Sequence, residues 1–359
     1  MKEVNLRLRW IDTLKGIAII LVVVGHLSIY DDLGLYIYSF HMPLFFFISG
    51  YLFNMKKYKD VPMKFLQNKA KTLLLPYLSF TAISYLFYIT CDFLLRIYQP
   101  AFQIETMLGK GLFFNLNNIF FIQKELINTP LWFLVCLFTT ETLFYFISKR
   151  FYKSKYNVFF YIVILSFVGY ICSSYSSIRL PWELDIAFTA IVFYATGFYF
   201  HKYYDELFFK KGIHIFLILF IMNLLIGFQN QRVNMLGLVY NNYILFYLSA
   251  FSGILVYFYL DQKIGSFKIL EYYGKNSLII LGMHYLIISI LKYSLIFSQK
   301  ILLLSIDQNI VFLLTLIGFF VLIVPIINII NKKFSFLLGQ SDNTLLDVPD
   351  KPRSAPKVL

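Results

Sequence analysis

Residues 11–30 read IDTLKGIAIILVVVGHLSIY. Twenty residues of α-helix rise about 30 Å, the thickness of a bilayer's hydrocarbon core. Only Asp12, Lys15 and His26 interrupt the apolar and neutral side chains of this run. It is too long for the apolar segment of a secretory signal, carries charge, and lacks a small-residue cleavage site, so it reads as a helix that stays in the membrane.

The same reading extends outward along the chain. Of 359 residues, 59% are hydrophobic and only 14% charged, with a mean hydropathy of +0.69. A soluble protein of this length needs far more charge to cover its surface. Ten apolar runs recur, at about 11–30, 36–54, 76–98, 130–148, 157–172, 184–200, 212–228, 239–260, 276–297 and 310–330. The fold class expected is therefore all-α, a polytopic membrane bundle of about ten transmembrane helices. Its 41 Phe and 28 Tyr suit lipid-facing surfaces and interfacial belts.

Charge along the loops sets the orientation. With the N-terminus inside, 24 Lys and Arg residues fall in inner loops and tails against six in outer ones (Arg96, Lys110, Lys124, Arg179, Arg232, Lys300), with Lys15 and Lys292 within spans. Cytoplasmic loops are enriched in Lys and Arg, so both termini are expected in the cytoplasm. The net charge of +13 is thus a membrane signature, and no nucleic-acid partner is expected. Cys91, Cys136 and Cys172 are odd in number, lack metal-ligand spacing and lie in or beside apolar runs. They read as small core residues, and no metal is expected.

Residues 111–123 are apolar but short, and Asn115, Asn117 and Asn118 interrupt them. A crossing here would turn every later basic loop outward, so this piece is expected to be interfacial or re-entrant. The bundle domain is set at residues 1–338. The tail from Gly339 to Leu359, with Pro349, Pro352 and Pro356, reads as disordered.

Ionisable groups inside a bilayer are costly and mark function. Lys15 and His26 are eleven residues apart, which returns to within about 20° of one helix face and separates them by about 16 Å. In the second span Phe40-His41-Met42-Pro43 places a second imidazole at a depth similar to that of His26. Glu141 lies at the depth of Lys15, which makes an ion pair between them plausible. His284 follows Gly274-Lys275-Asn276-Ser277 in the ninth span. Each has a plainer reading: a satisfied structural histidine, or, for Lys15, an ammonium that snorkels to the headgroups.

The residues together resemble a known family. Arg9-Trp10-Ile11-Asp12, Lys15-Gly16-Ile17-Ala18 and Val24-Gly25-His26 resemble the first helix of the integral-membrane acyltransferase family 3, which carries a basic residue, ten intervening residues and a histidine. Phe40-His41-Met42-Pro43-Leu44-Phe45-Phe46, continuing to Ser49-Gly50-Tyr51-Leu52-Phe53, is similar to its second helix. Shorter echoes are Leu75-Pro76-Tyr77, Leu131-Trp132-Phe133-Leu134 and Gly274-Lys275-Asn276-Ser277-Leu278 with His284. Within the family the chain looks most like the fucose 4-O-acetylase and nodulation-protein branch.

The resemblance implies acetyl transfer from cytoplasmic acetyl-CoA to a hydroxyl of a cell-envelope polysaccharide or its lipid-linked precursor, in a bacterial-type cytoplasmic (inner) membrane. The acceptor would be a saccharide, with membrane lipid as surroundings. His26 is the expected general base and His41 its partner. Lys15, Asp12, Glu141, Asn276, Ser277 and His284 are the supporting or donor-binding residues. The rival readings are a transporter or flippase of lipid-linked saccharides, a polysaccharide polymerase and a membrane sensor. A transporter would not require the two matched motifs, and no internal repeat is visible.

Overall fold

The computed structural model describes residues 9–27, 31–98, 112–122, 126–151, 154–175, 179–203, 213–265, 267–302 and 307–339. Nearly all of the tail expected to be disordered lies outside them. Among the described residues regular structure is helical, with one isolated antiparallel bridge between Asn234 and Val239.

Helices α1 (Arg9–Leu27), α2 (Asp31–Tyr38) and α3 (His41–Tyr51) come first. Helix α4 (Pro62–Lys69) continues through a π-helical turn, Ala70–Leu74, into α5 (Leu75–Tyr98). Then follow α6 (Leu112–Asn117), α7 (Trp132–Arg150), α8 (Lys155–Tyr175) and α9 (Leu184–Tyr203). The chain ends with α10 (Ile213–Asn230), α11 (Tyr243–Ile264), α12 (Lys268–Lys275), α13 (Ser277–Leu302) and α14 (Gln308–Lys333). Among the described residues ten helical stretches are long and apolar enough to cross a membrane, and they fall on the ten runs read from the sequence. An even number of crossings puts the start of α1 and the end of α14 at one end of the bundle, called here the near end.

Two spans start earlier than hydropathy alone indicates, and in both a proline shapes the backbone. The second begins at Asp31 and breaks at Ser39–Phe40, where Phe40 has φ −144°. Pro43 lacks the N–H that would bond the Ser39 carbonyl, and its ring crowds that carbonyl. The third begins at Pro62, its first turns disguised by Lys64, Gln67, Asn68, Lys69 and Lys71. Pro76 then removes a regular helical bond, and the chain answers with the π turn, in which Leu75 N–H reaches back to the Ala70 carbonyl. Single π turns of this kind collect at functional sites.

Burial ranks the helices. The first and fourth spans are 67% and 72% buried, whereas the fifth and seventh are 17% buried. Helices α1 and α7 are therefore central, while α8 and α10 expose Phe159, Phe160, Phe167, Leu217 and Leu225 as a lipid-facing rim. Lipid is as apolar as these side chains, so close helix contact depends on small residues. A Cβ on Gly50 would strike the Tyr194 carbonyl, and one on Gly197 would strike the Phe47 carbonyl, so α3 and α9 touch backbone to backbone. Gly16 and Gly274 bring α1 and α12 together in the same way.

The segment 112–122 packs into the bundle beside α5. Tyr85 donates to Asn115 Oδ1 at 3.1 Å and Tyr77 to the Ile119 carbonyl at 2.6 Å. Those tyrosines are eight residues apart, about 12 Å along α5, so the chain descends by much of that distance. It climbs back by Asn128, which donates to Ser84 Oγ (3.0 Å) and the Gly282 carbonyl (2.7 Å). Non-helical backbone at membrane depth is tolerated where protein buries it.

Candidate active site

Two cavities adjoin at the near end and share four lining residues. The larger, about 1030 Å³, is walled by Lys15, Lys56, Lys57, Lys69 and Lys155, with Asp12, Tyr51, Tyr58 and His201. The smaller, about 270 Å³, runs inward between Lys15, Ile19 and Val22 of α1, Met42 and Phe45 of α3, Phe133 and Glu141 of α7 and Ser277 of α13. Lys15, Leu52, Phe53 and Lys69 line both and so form the neck between them.

The neck is organised by a buried charge. Glu141 is 3% exposed and pairs with Lys69 Nζ at 2.9 Å, and Tyr194 donates to its other oxygen at 3.4 Å. The sequence suggested Lys15 as the partner of Glu141. The structure places Lys15 on the same cavity wall and supplies an ion pair from Lys69, the last residue of α4 before the π turn. In the sequence Lys69 is one of six lysines between Lys56 and Lys71. Its signal was masked because the polar face of α4 resembles a loop composition.

Beyond the smaller cavity lies a cluster of three imidazoles. His26 sits one helical turn past Val22, about 6 Å further along α1. Its ring is 5.1 Å from that of His284, 6.2 Å from Tyr285 and 6.4 Å from Tyr38, centroid to centroid. His41 packs on the far side of Tyr38 at 4.9 Å. The direct neighbour of His26 is therefore His284, from a helix remote in sequence, and His41 reaches it through the Tyr38 ring.

The proton positions of two rings follow from their partners. His41 Nδ1 lies 2.8 Å from the Ile37 carbonyl, at the break before α3. His284 Nδ1 lies 3.0 Å from the carbonyls of both Ile280 and Leu281. A carbonyl only accepts, so each Nδ1 carries the proton and each Nε2 presents a lone pair. His284 is fully buried, and its Nε2 has no hydrogen-bond partner. His26 is partly buried. In its neutral form an imidazole bonded this way can accept a proton at Nε2.

The remaining expected residues divide. Asp12 is buried and lines the larger cavity, and Ser277 lines the smaller. Asn276 is structural: it donates to the Tyr272 carbonyl at 2.8 Å and accepts from Asn331 at 2.8 Å, which fixes the α12–α13 corner to α14. Tyr38, Tyr285 and Arg232, whose guanidinium lies 4.4 Å over the Tyr38 ring, were not singled out in the sequence. Nothing local distinguishes them from the other tyrosines and loop cations.

Fold and site together define a polytopic membrane protein with an imidazole cluster inside the bundle, approached from one end by a lysine-walled cavity. The acyltransferase-domain family model matches residues 8–335, and the chain belongs to this family of membrane acyltransferases. No curated protein and no solved structure matches it. The family assignment favours acyl transfer over the transporter, polymerase and sensor readings.

Proposed function

We propose that this protein moves an acetyl group from acetyl-CoA to a hydroxyl of a cell-envelope polysaccharide or its lipid-linked precursor, with His26 as general base. The observation that carries the reading is the pair of adjoining cavities that share Lys15 and Lys69, the inner one reaching Val22, one turn short of His26. A donor with a polyphosphate head and a thin, neutral arm suits that shape. Its phosphates match the lysines, which bind phosphate as point charges, and its arm matches the apolar walls of the smaller cavity. The 24-to-six division of basic residues makes the near end cytoplasmic, where the donor is made, and fits a bacterial-type inner membrane.

The acceptor hydroxyl then arrives from the opposite end. His26 takes the hydroxyl proton as the oxygen attacks the thioester carbonyl, and the collapsing intermediate expels the CoA thiolate, which recovers that proton. A thioester needs no metal for this, only orientation and a donor for the developing oxyanion. His284 holds His26 from one side, and Tyr38 and Tyr285 bring hydroxyl donors to the cluster.

The test pairs acetylation rate with melting temperature for detergent-purified His26→Ala and His26→Gln. Turnover should fall about 100- to 10,000-fold, the usual worth of a general base, with acetyl-CoA affinity and melting temperature retained. Near-normal acetylation in either variant would remove His26 from the mechanism and leave His41 as the candidate.

A further inference from the structure

The end of the bundle opposite the termini carries few cations among the described side chains. They are Arg179, Arg232 and Lys292, and Arg179 is fully committed. Its Nε lies 2.6 Å from Asp185 Oδ2, one Nη 2.5 Å from Glu183 Oε2, and the other Nη donates to the Leu236 carbonyl. Arg232 and Lys292 are exposed, and among the described residues no ion pair joins either to a carboxylate. Asp31 and Asp32 begin α2, about 9–10 Å along that helix from Tyr38.

Each cation shares a contact or a helix face with a tyrosine that packs on His26. Arg232 lies flat on Tyr38 at 4.4 Å, and Tyr38 touches both His26 and His41. Lys292 follows Tyr285 by seven residues, the same face of α13 about two turns outward, and Tyr285 packs on His26.

Arg232 is also held in place. The residue before it, Gln231, adopts φ 63°, a conformation that costs a non-glycine residue about 1 kcal/mol or more. Asn241 Nδ2 secures the Arg232 carbonyl at 3.0 Å, Asn242 N–H bonds Asn230 Oδ1 at 2.9 Å, and Asn230 donates to the Tyr240 carbonyl at 3.1 Å. Arg179, through the Leu236 carbonyl, ties the same loop to the start of α9. A fixed guanidinium with open donors beside a reacting base is suited to a carboxylate or phosphate.

We infer that Arg232 and Lys292 form an anion-recognition pair, and that the acceptor is an acidic glycan whose phosphate or carboxylate they hold while its hydroxyl meets His26. The inference rests on the acyl-transfer reading for the identity of the acceptor.

The test is binding to the full-length protein in phosphatidylcholine nanodiscs, read by thermophoresis with three fluorescent probes. These are a decyl glucoside, a decyl glucuronide and a decyl-phosphoryl glucose. The anionic probes should bind at least about ten-fold more tightly than the neutral one, as expected for hydrogen bonds to charged groups. Arg232→Gln with Lys292→Gln should erase the difference, and Arg232→Lys with Lys292→Arg should restore most of it.

The stronger of the two anionic probes identifies phosphate or carboxylate as the natural group. Equal binding of all three, binding of none, or a preference that survives the Gln pair would overturn the inference. So would loss of the preference when phosphatidylglycerol replaces part of the phosphatidylcholine, since the cations would then be reading headgroups. Because binding is read without turnover, a failed acetylation assay with an intact anion preference would count against the acetyl-transfer reading alone.

Discussion

The ion pair at the neck should respond asymmetrically to the loss of either partner. Two unit charges at the observed 2.9 Å attract by about 6 kcal/mol at an effective dielectric constant near 20, before desolvation is subtracted. Lys69→Met leaves Glu141, 3% exposed, as an uncompensated buried carboxylate, which typically costs about 3–5 kcal/mol. Lys15 on the same cavity wall offers partial compensation and sets the expectation at the lower end, about 3 kcal/mol. Glu141→Gln instead leaves Lys69, 22% exposed and bordering the larger cavity, free to turn into that space. Its cost should stay near 1 kcal/mol, the level of a solvent-reachable pair. The double variant should recover most of the loss seen with Lys69→Met. Unfolding free energies in mixed micelles for all four proteins would measure this. A Glu141→Gln cost equal to or above that of Lys69→Met would refute the argument that burial of the carboxylate dominates.

Three further outcomes are expected. Lys15→Ala should raise the KM for acetyl-CoA by about ten-fold, one charge-assisted contact, with little change in melting temperature; unchanged turnover in proteoliposomes would mean that Lys15 only reaches for headgroups. Gly50→Ala should lower the unfolding free energy by about 1–3 kcal/mol, because its Cβ meets the Tyr194 carbonyl, whereas a surface substitution such as Leu225→Ala on the lipid-facing rim should be nearly silent in the same assay. Reporter fusions after Asn54, Tyr156 and Gly265 should all report the cytoplasm, and an outward signal at any one would break the orientation inferred from charge.

The spans were legible because a bilayer imposes one rule on every crossing: about 20 apolar residues of helix. The starts of the second and third spans were not, since Asp31 and Asp32 in one and Lys64, Lys69 and Lys71 in the other give their first turns the hydropathy of a loop. Within α1, the Lys15-to-His26 spacing was readable from helical periodicity, and the structure places Lys15 on the cavity wall and His26 beyond its inner end. The partnerships across helices were hidden. His284 is 258 residues from His26 in the chain yet is its ring neighbour at 5.1 Å, and no periodicity spans such a distance. Lys69 pairs with Glu141 at 2.9 Å, and depth alone does not say which helix brings a cation to it.

The small cavity also bears on a quantity remote from catalysis, the electrical resistance of the membrane. It carries Lys15, Lys69 and Glu141 at its wide end and closes inward on Val22, Met42, Phe45, Phe133 and Leu134. A water-filled polar channel through the bundle would conduct protons and discharge the gradient the cell lives on. An aliphatic and aromatic stopper of this kind resists wetting, so it can part around a thin organic chain and close behind it. Under the proposed acetyl transfer, the bundle would pass a two-carbon fragment through an insulator without short-circuiting it.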